Sequence, residues 1–191
     1  KTPKQLYKIL SKSNLSWDTV HFYWGDERSV GPDHSDSNYK MAYDALLSKI
    51  NLPSAHIHRL QGEIAPELAA CNYEKTIRSA FGLTPDDPAP SFDLVLLGMG
   101  TDGHTASLFP ETEALKEKTK WVVANFVPKL AGARLTLTPV ILNQTKNIFF
   151  LVAGSDKAKI LKDVLEGPYH PDLLPAQLIR KLVRVNQLID V

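Results

Sequence analysis

Apolar positions along this chain recur at two periods, one helical and one of strand type. Leu6, Ile9 and Leu10 fall at helical spacing behind Thr2, which can cap a helix, and Pro3, which suits a first helical position. Residues 20–24 form a short aromatic and β-branched run, which predicts a strand ended by Gly25. A polar loop runs on to Ser37, and Met41, Ala45 and Leu46 then lay one stripe on a helix over 38–49. Ile57 marks a short strand, and Pro66 opens a further helix that Gly82 closes. Inside that helix, Cys71 lies beside Leu68, Ala69 and Ala70 and reads as a small buried hydrophobe.

Residues 84–91, rich in Pro and Asp, predict a surface loop. The near-continuous apolar run at 92–97 ends at Gly98, which suits a central parallel strand buried on both faces. Residues 121–127 and 133–137 are further strand candidates, 139–143 a helical turn or two, and 148–152 a second central strand. Gly154 and Ser155 lead into a helix from about Asp156 to Glu166, ended by Gly167; 175–181 predicts a short helix and 188–191 a last strand. Strands alternating with helices predict a single α/β domain over residues 1–191 with a mostly parallel sheet. Ligands of such sheets bind beyond the carboxyl ends of the strands. That rule singles out the loops after Trp24, Leu97 and Val152.

Composition narrows the function classes. A chain of 191 residues, 43% hydrophobic, is long enough to bury a core without staples. A net charge of +1, with no run of like charges, gives no support for nucleic-acid or membrane-surface binding. The single cysteine allows no internal disulfide, which suits a reducing compartment such as the cytosol. No apolar stretch approaches the roughly 18 residues of a membrane span, and the N-terminus lacks the apolar core of a signal peptide.

The loop after Leu97 carries the densest chemistry: Gly98-Met99-Gly100-Thr101-Asp102-Gly103-His104-Thr105-Ala106-Ser107-Leu108-Phe109-Pro110. Its glycines let backbone N–H groups approach a ligand, and successive amides can form an anion-binding concavity. Asp102 can orient His104, the natural general base near neutral pH. The plainer alternative is a glycine-rich turn with a capping Asp and a satisfied His. The spacing matches neither a dinucleotide fingerprint nor a Walker loop. Arg28, beside Asp26 and Glu27, can hold an oxyanion or form a surface ion-pair cluster. Asp33, His34 and Asp36 match no strong metal motif, and no metal is expected. Gly154, Ser155 and Lys157 open a helix whose end attracts phosphate, and Arg134 offers a bidentate guanidinium, although Lys157 also reads as an ordinary solvated lysine. His21, His56, His58 and His170 stand apart from these loops and read as structural or surface residues.

Together these segments resemble the 6-phosphogluconolactonase family, along with Thr2-Pro3-Lys4-Gln5-Leu6-Tyr7, Ser35-Asp36-Ser37-Asn38-Tyr39, Arg134-Leu135-Thr136-Leu137-Thr138 and Pro175-Ala176-Gln177. The resemblance implies a three-layer, Rossmann-like α/β fold with helices on both faces of the sheet. It also implies kinship with glucosamine-6-phosphate deaminases and ribose-5-phosphate isomerases. The implied activity is hydrolysis of 6-phosphoglucono-δ-lactone in the oxidative pentose phosphate pathway, without organic cofactor or essential metal. His104 falls on the family's catalytic histidine, with Asp102 beside it, and Arg28 on its active-site arginine. Arg134 and Lys157 fall on sugar-phosphate ligands. The helix end after Thr2, with Asp26 and Gly100, completes the expected substrate-binding set. The family usually carries a glycine pair and a strand before Thr2-Pro3 and a helix after the last strand, so the expected sheet is truncated at both ends. Two other readings remain at this point. A deaminase-like enzyme shares the Asp-Gly-His turn but follows it with a segment ending Asn-Glu-Pro, where this chain has Ser107-Leu108-Phe109-Pro110. A non-catalytic sugar-phosphate binder would keep Arg134 and Lys157 without needing the base.

Overall fold

The computed structural model describes residues 2–179, Thr2 by its backbone alone. The strand expected at 188–191 and the end of the helix expected at 175–181 lie outside these residues. In chain order the elements are α1 (Thr2–Leu10), β1 (Phe22–Tyr23), β2 (Asp26–Arg28), α2 (Asn38–Ala45), β3 (Ile57–His58), α3 (Pro66–Ala80), β4 (Leu94–Leu97), β5 (Val122–Val127), β6 (Gly132–Leu137), α4 (Pro139–Leu142), β7 (Asn147–Phe150) and α5 (Ala158–Glu166). Helix α1 takes in Thr2 rather than starting after it, a shift of one position at a frayed end.

The described strands form two parallel pairs, β1–β3 and β4–β7, and one antiparallel sheet in the order β2–β6–β5. Four of the described strands thus pair in parallel, and a three-stranded antiparallel unit, which the sequence did not mark out, stands beside them. The hairpin β5–β6 turns on a short 3-10 segment, Pro128–Leu130, followed by Ala131 at φ 46°. A connection this tight joins antiparallel neighbours, whereas a parallel pair needs a long crossover. Strand β4 also departs from expectation. Leu94 is 49% exposed and Val95 and Leu96 are half-buried, so this strand is not covered on both faces among the described residues.

Helix α3 shows why the core lies where it does. Ala69, Ala70, Tyr73 and Ile77 recur at helical spacing and are buried. Cys71 lies off that stripe and is exposed, which corrects its reading as a core residue. The three residues before it are apolar, but Leu68 also faces outward. The helix ends in a Schellman motif: Gly82 at φ +66° donates to the Ser79 carbonyl, and Leu83 donates to that of Arg78. The Arg78 guanidinium lies 3.6 Å from the Trp121 ring centroid, and Glu74 accepts from the Trp121 amide at 2.9 Å, which fastens α3 to the start of β5. Leu135 and Leu137 point from β6 into the same core, where Ile77, Leu108, Ile141 and Leu142 are fully buried. No helix among the described residues is long and apolar enough to cross a membrane.

Candidate active site

Beyond Leu97 the chain makes a tight double turn that lifts His104 out of the core. Thr105 donates from Oγ1 to the Gly98 carbonyl at 2.8 Å, the Gly100 amide donates to the His104 carbonyl at 2.9 Å, and Gly103 donates back to Gly100 at 3.1 Å. Gly103 sits at φ +77°, a conformation that suits glycine. Gly100 is required for space: a Cβ there would overlap the His104 ring and crowd the Asp102 carboxylate. The Gly100 N–H is the one that closes the turn on the His104 carbonyl.

His104 Nδ1 lies 2.5 Å from Asp102 Oδ1, and Asp102 also accepts from the His104 amide at 3.2 Å. The carboxylate therefore fixes the ring, and with Nδ1 donating to it, Nε2 keeps the lone pair. The other face of the arrangement is aromatic, with Phe109 stacked on His104 at 4.2 Å between centroids. Burial holds the imidazole below its ordinary pKa; Asp26 opposes that shift and Lys157 reinforces it. Lys129, which the sequence did not single out, ion-pairs with Asp102 Oδ2.

Register on the antiparallel sheet builds the cationic side of the site. Arg28 is paired with Arg134 and Asp26 with Thr136, so these four side chains share one face. The next strand adds Asn125 opposite Arg134. Burial, the Arg28 charge and the nearby acids Asp26, Asp36 and Glu27 act on Arg134, and the net effect is a pKa lowered from its ordinary value. The two guanidiniums thus form one cationic edge of this face. Arg28 donates from Nη1 to the Asp36 carbonyl at 2.6 Å and to Asn38 Oδ1 at 2.9 Å, which fixes its direction.

The same face clamps the His104 loop. Ser107 donates from Oγ to Asp26 Oδ2 at 2.7 Å and from its amide to Thr136 Oγ1 at 3.2 Å. Asn125 donates to the Ser107 carbonyl at 2.9 Å. Asp26 thus ties β2 to the loop, and Asn38 engages its second oxygen at 3.2 Å. Glu27, on the opposite face of β2, is buried and accepts from the Asn38 and Tyr39 amides and the Ser37 hydroxyl. It anchors the start of α2, where Ser37 caps by accepting from the Lys40 amide.

Lys157 lies on the 3-10 turn Ser155–Lys157, which precedes α5, and its charge reaches His104. Thr2 begins α1, and Tyr7 on that helix faces Asp26, whose charge joins burial in raising the tyrosine pKa. His34 bonds only within its own loop, its Nδ1 accepting from the Asp36 amide at 3.1 Å. His21, His56 and His58 lie away from the site but not apart from one another: His21 and His58 nitrogens are 3.0 Å apart, and His56 stacks on His21 at 3.9 Å. Sequence spacing held no sign of that trio, of Lys129, or of the Ser107–Asp26 tie.

Residues 1–187 match the family described as glucosamine-6-phosphate isomerases/6-phosphogluconolactonase. The 6-phosphogluconolactonase of Synechocystis sp. is 39% identical over 190 residues, covering 99% of this chain and 78% of the relative. The crystal structure of 6-phosphogluconolactonase from Thermotoga maritima aligns with a TM-score of 0.81 at 33% identity, over 94% of this chain and 77% of that one. A monomeric glucosamine-6-phosphate deaminase aligns with a TM-score of 0.74 at 25% identity, over 94% of this chain and 77% of that one. With this coverage, the chain belongs to the glucosamine-6-phosphate isomerase/6-phosphogluconolactonase family and has its Rossmann-like α/β fold.

Proposed function

We propose that this chain hydrolyses 6-phosphoglucono-δ-lactone to 6-phosphogluconate in the oxidative pentose phosphate pathway. The observation that carries the reading is a half-buried His104 kept neutral by burial and oriented by Asp102 at 2.5 Å. Nε2 takes a proton from water as the water oxygen bonds to the lactone carbonyl carbon. The ring C–O bond then breaks, and the imidazolium returns the proton to the departing ring oxygen, which becomes a hydroxyl. Arg28 meets the negative charge that develops on the carbonyl oxygen. Arg134, Lys157 and the N-terminal end of α1 at Thr2 hold the phosphate. No cofactor or metal enters this scheme.

A deaminase reading is weaker, because the segment after His104 ends Leu108-Phe109-Pro110 where that family's ends Asn-Glu-Pro, and Phe109, stacked on His104, brings no acid there. The three-layer arrangement belongs to the same proposal. Tyr23 at the end of β1 touches Phe92 just before β4, with centroids 5.1 Å apart, which supports one continuous parallel sheet running through both pairs. The single cysteine supports a reducing compartment, the cytosol.

The test is a pair of assays on the purified chain. Acid release from 6-phosphoglucono-δ-lactone is expected well above the spontaneous rate, with no ammonia released from glucosamine 6-phosphate. Hydrolysis at the spontaneous rate, or ammonia release, overturns the reading.

A further inference from the structure

We propose that Lys129 is a positioning residue that, through Asp102, keeps His104 unprotonated, an inference that rests on the reading of His104 as the base. Lys129 belongs to the turn between β5 and β6, on a separate element from the His104 loop. Its ammonium ion-pairs with Asp102 Oδ2 while Oδ1 of the same carboxylate faces His104 Nδ1. The ammonium also lies 4.8 Å from the centroid of Phe109, the ring stacked on His104. One cation thus touches both groups that hold the imidazole.

The physical consequence follows from charge. A carboxylate beside an imidazole stabilises the protonated ring and raises its pKa. A general base gains nothing from a ring that is already protonated. A cation on the far oxygen cancels part of the carboxylate's field at the ring but leaves its hydrogen bond in place. Asp102 can then aim His104 without loading it with a proton. The other charges facing His104 come from separate elements: Asp26 on β2 favours the protonated ring, and Lys157 before α5 opposes it. Tyr7 on α1 faces Asp26. Lys129 is 51% exposed in its side chain, so water and salt screen the effect and keep it modest.

The experiment is an NMR titration of the His104 imidazole in the unliganded protein, assigned by its loss in His104→Ala. Lys129→Met is expected to raise the His104 pKa by about half a unit to one unit, the scale of a neighbouring charge that is partly screened. The acid limb of kcat/KM should move up with it, at an unchanged KM, and Lys129→Arg should restore both. An unmoved titration in Lys129→Met, or no recovery in Lys129→Arg, overturns the inference. So does a raised KM with an unmoved titration, which makes Lys129 a substrate contact. The titration needs no turnover, so it separates this claim from the role of His104, which the activity of His104→Ala decides.

Discussion

The smallest feature on which the site depends is an absent methyl group. Gly100 leaves the space that the His104 ring fills, and any Cβ there displaces the ring or the Asp102 carboxylate. Gly100→Ala is therefore expected to keep the fold and lose activity by about a hundredfold, the scale of misplacing a catalytic group by roughly an ångström. Circular dichroism and the lactonase rate check the two halves of that expectation. Burial also fixes where His104 titrates. Its folded pKa lies below 6.5, so the neutral base persists as pH falls through 6.5 and is lost only at lower pH. The acid limb of kcat/KM should accordingly fall below pH 6.5. The same shift works against stability in acid: the unfolded chain takes up the proton first, so stability held above pH 6.5 declines as pH drops toward the folded pKa.

At the scale of elements, the antiparallel sheet determines which side chains share a face with the ties to the His104 loop. Register puts Arg28 and Arg134 side by side and leaves Leu135 on the other face for the core. Arg134→Met should raise KM roughly tenfold or more with a smaller effect on kcat, because the proposed phosphate contact takes no part in the bond changes and is made equally in the ground and transition states. Steady-state kinetics read this directly. The turn before β5 is held by hydrogen bonds to one carboxylate. Glu117 accepts the amides of Lys118, Thr119 and Lys120, and these bonds hold its carboxyl at about 2 against an ordinary 4.5. Stability from this turn is full above pH 4.5 and fades as pH falls through about 2. Glu117→Gln should cost about 1 kcal/mol at neutral pH, after discounting for solvent screening, and flatten the acid side of a denaturation series. The sequence made the β4 loop legible, because glycine turns and an Asp–His pair two residues apart are local chemistry. It made the helix end at Gly82 legible for the same reason. It misplaced Cys71, since the buried stripe of α3 skips that position in favour of Ala69, Ala70 and Tyr73.

At the scale of the whole molecule, the site is an assembly of parts that sequence order keeps far apart. The base comes from the loop after β4, the guanidiniums from β2 and β6, and a lysine from the turn before α5. Ser107 and Asp26 join the first two across 81 positions of chain by a 2.7 Å bond. Such ties, like the ion pair of Lys129 with Asp102, depend on how strands pair, and no spacing rule encodes them. The antiparallel unit was hidden for a related reason: the β5–β6 hairpin is a folded-back unit whose apolar strands look, in sequence, like any buried strand. Topology brings Lys129 and Lys157 to bear on one imidazole, and the proposed hydrolysis depends on that imidazole acting as a base. The most direct measurement is turnover of 6-phosphoglucono-δ-lactone by His104→Ala, corrected for spontaneous hydrolysis, beside a melting curve showing the fold intact. The expected result is a loss of about 10²–10⁴-fold with an unchanged melting curve. Turnover near that of the unaltered chain would contradict the account.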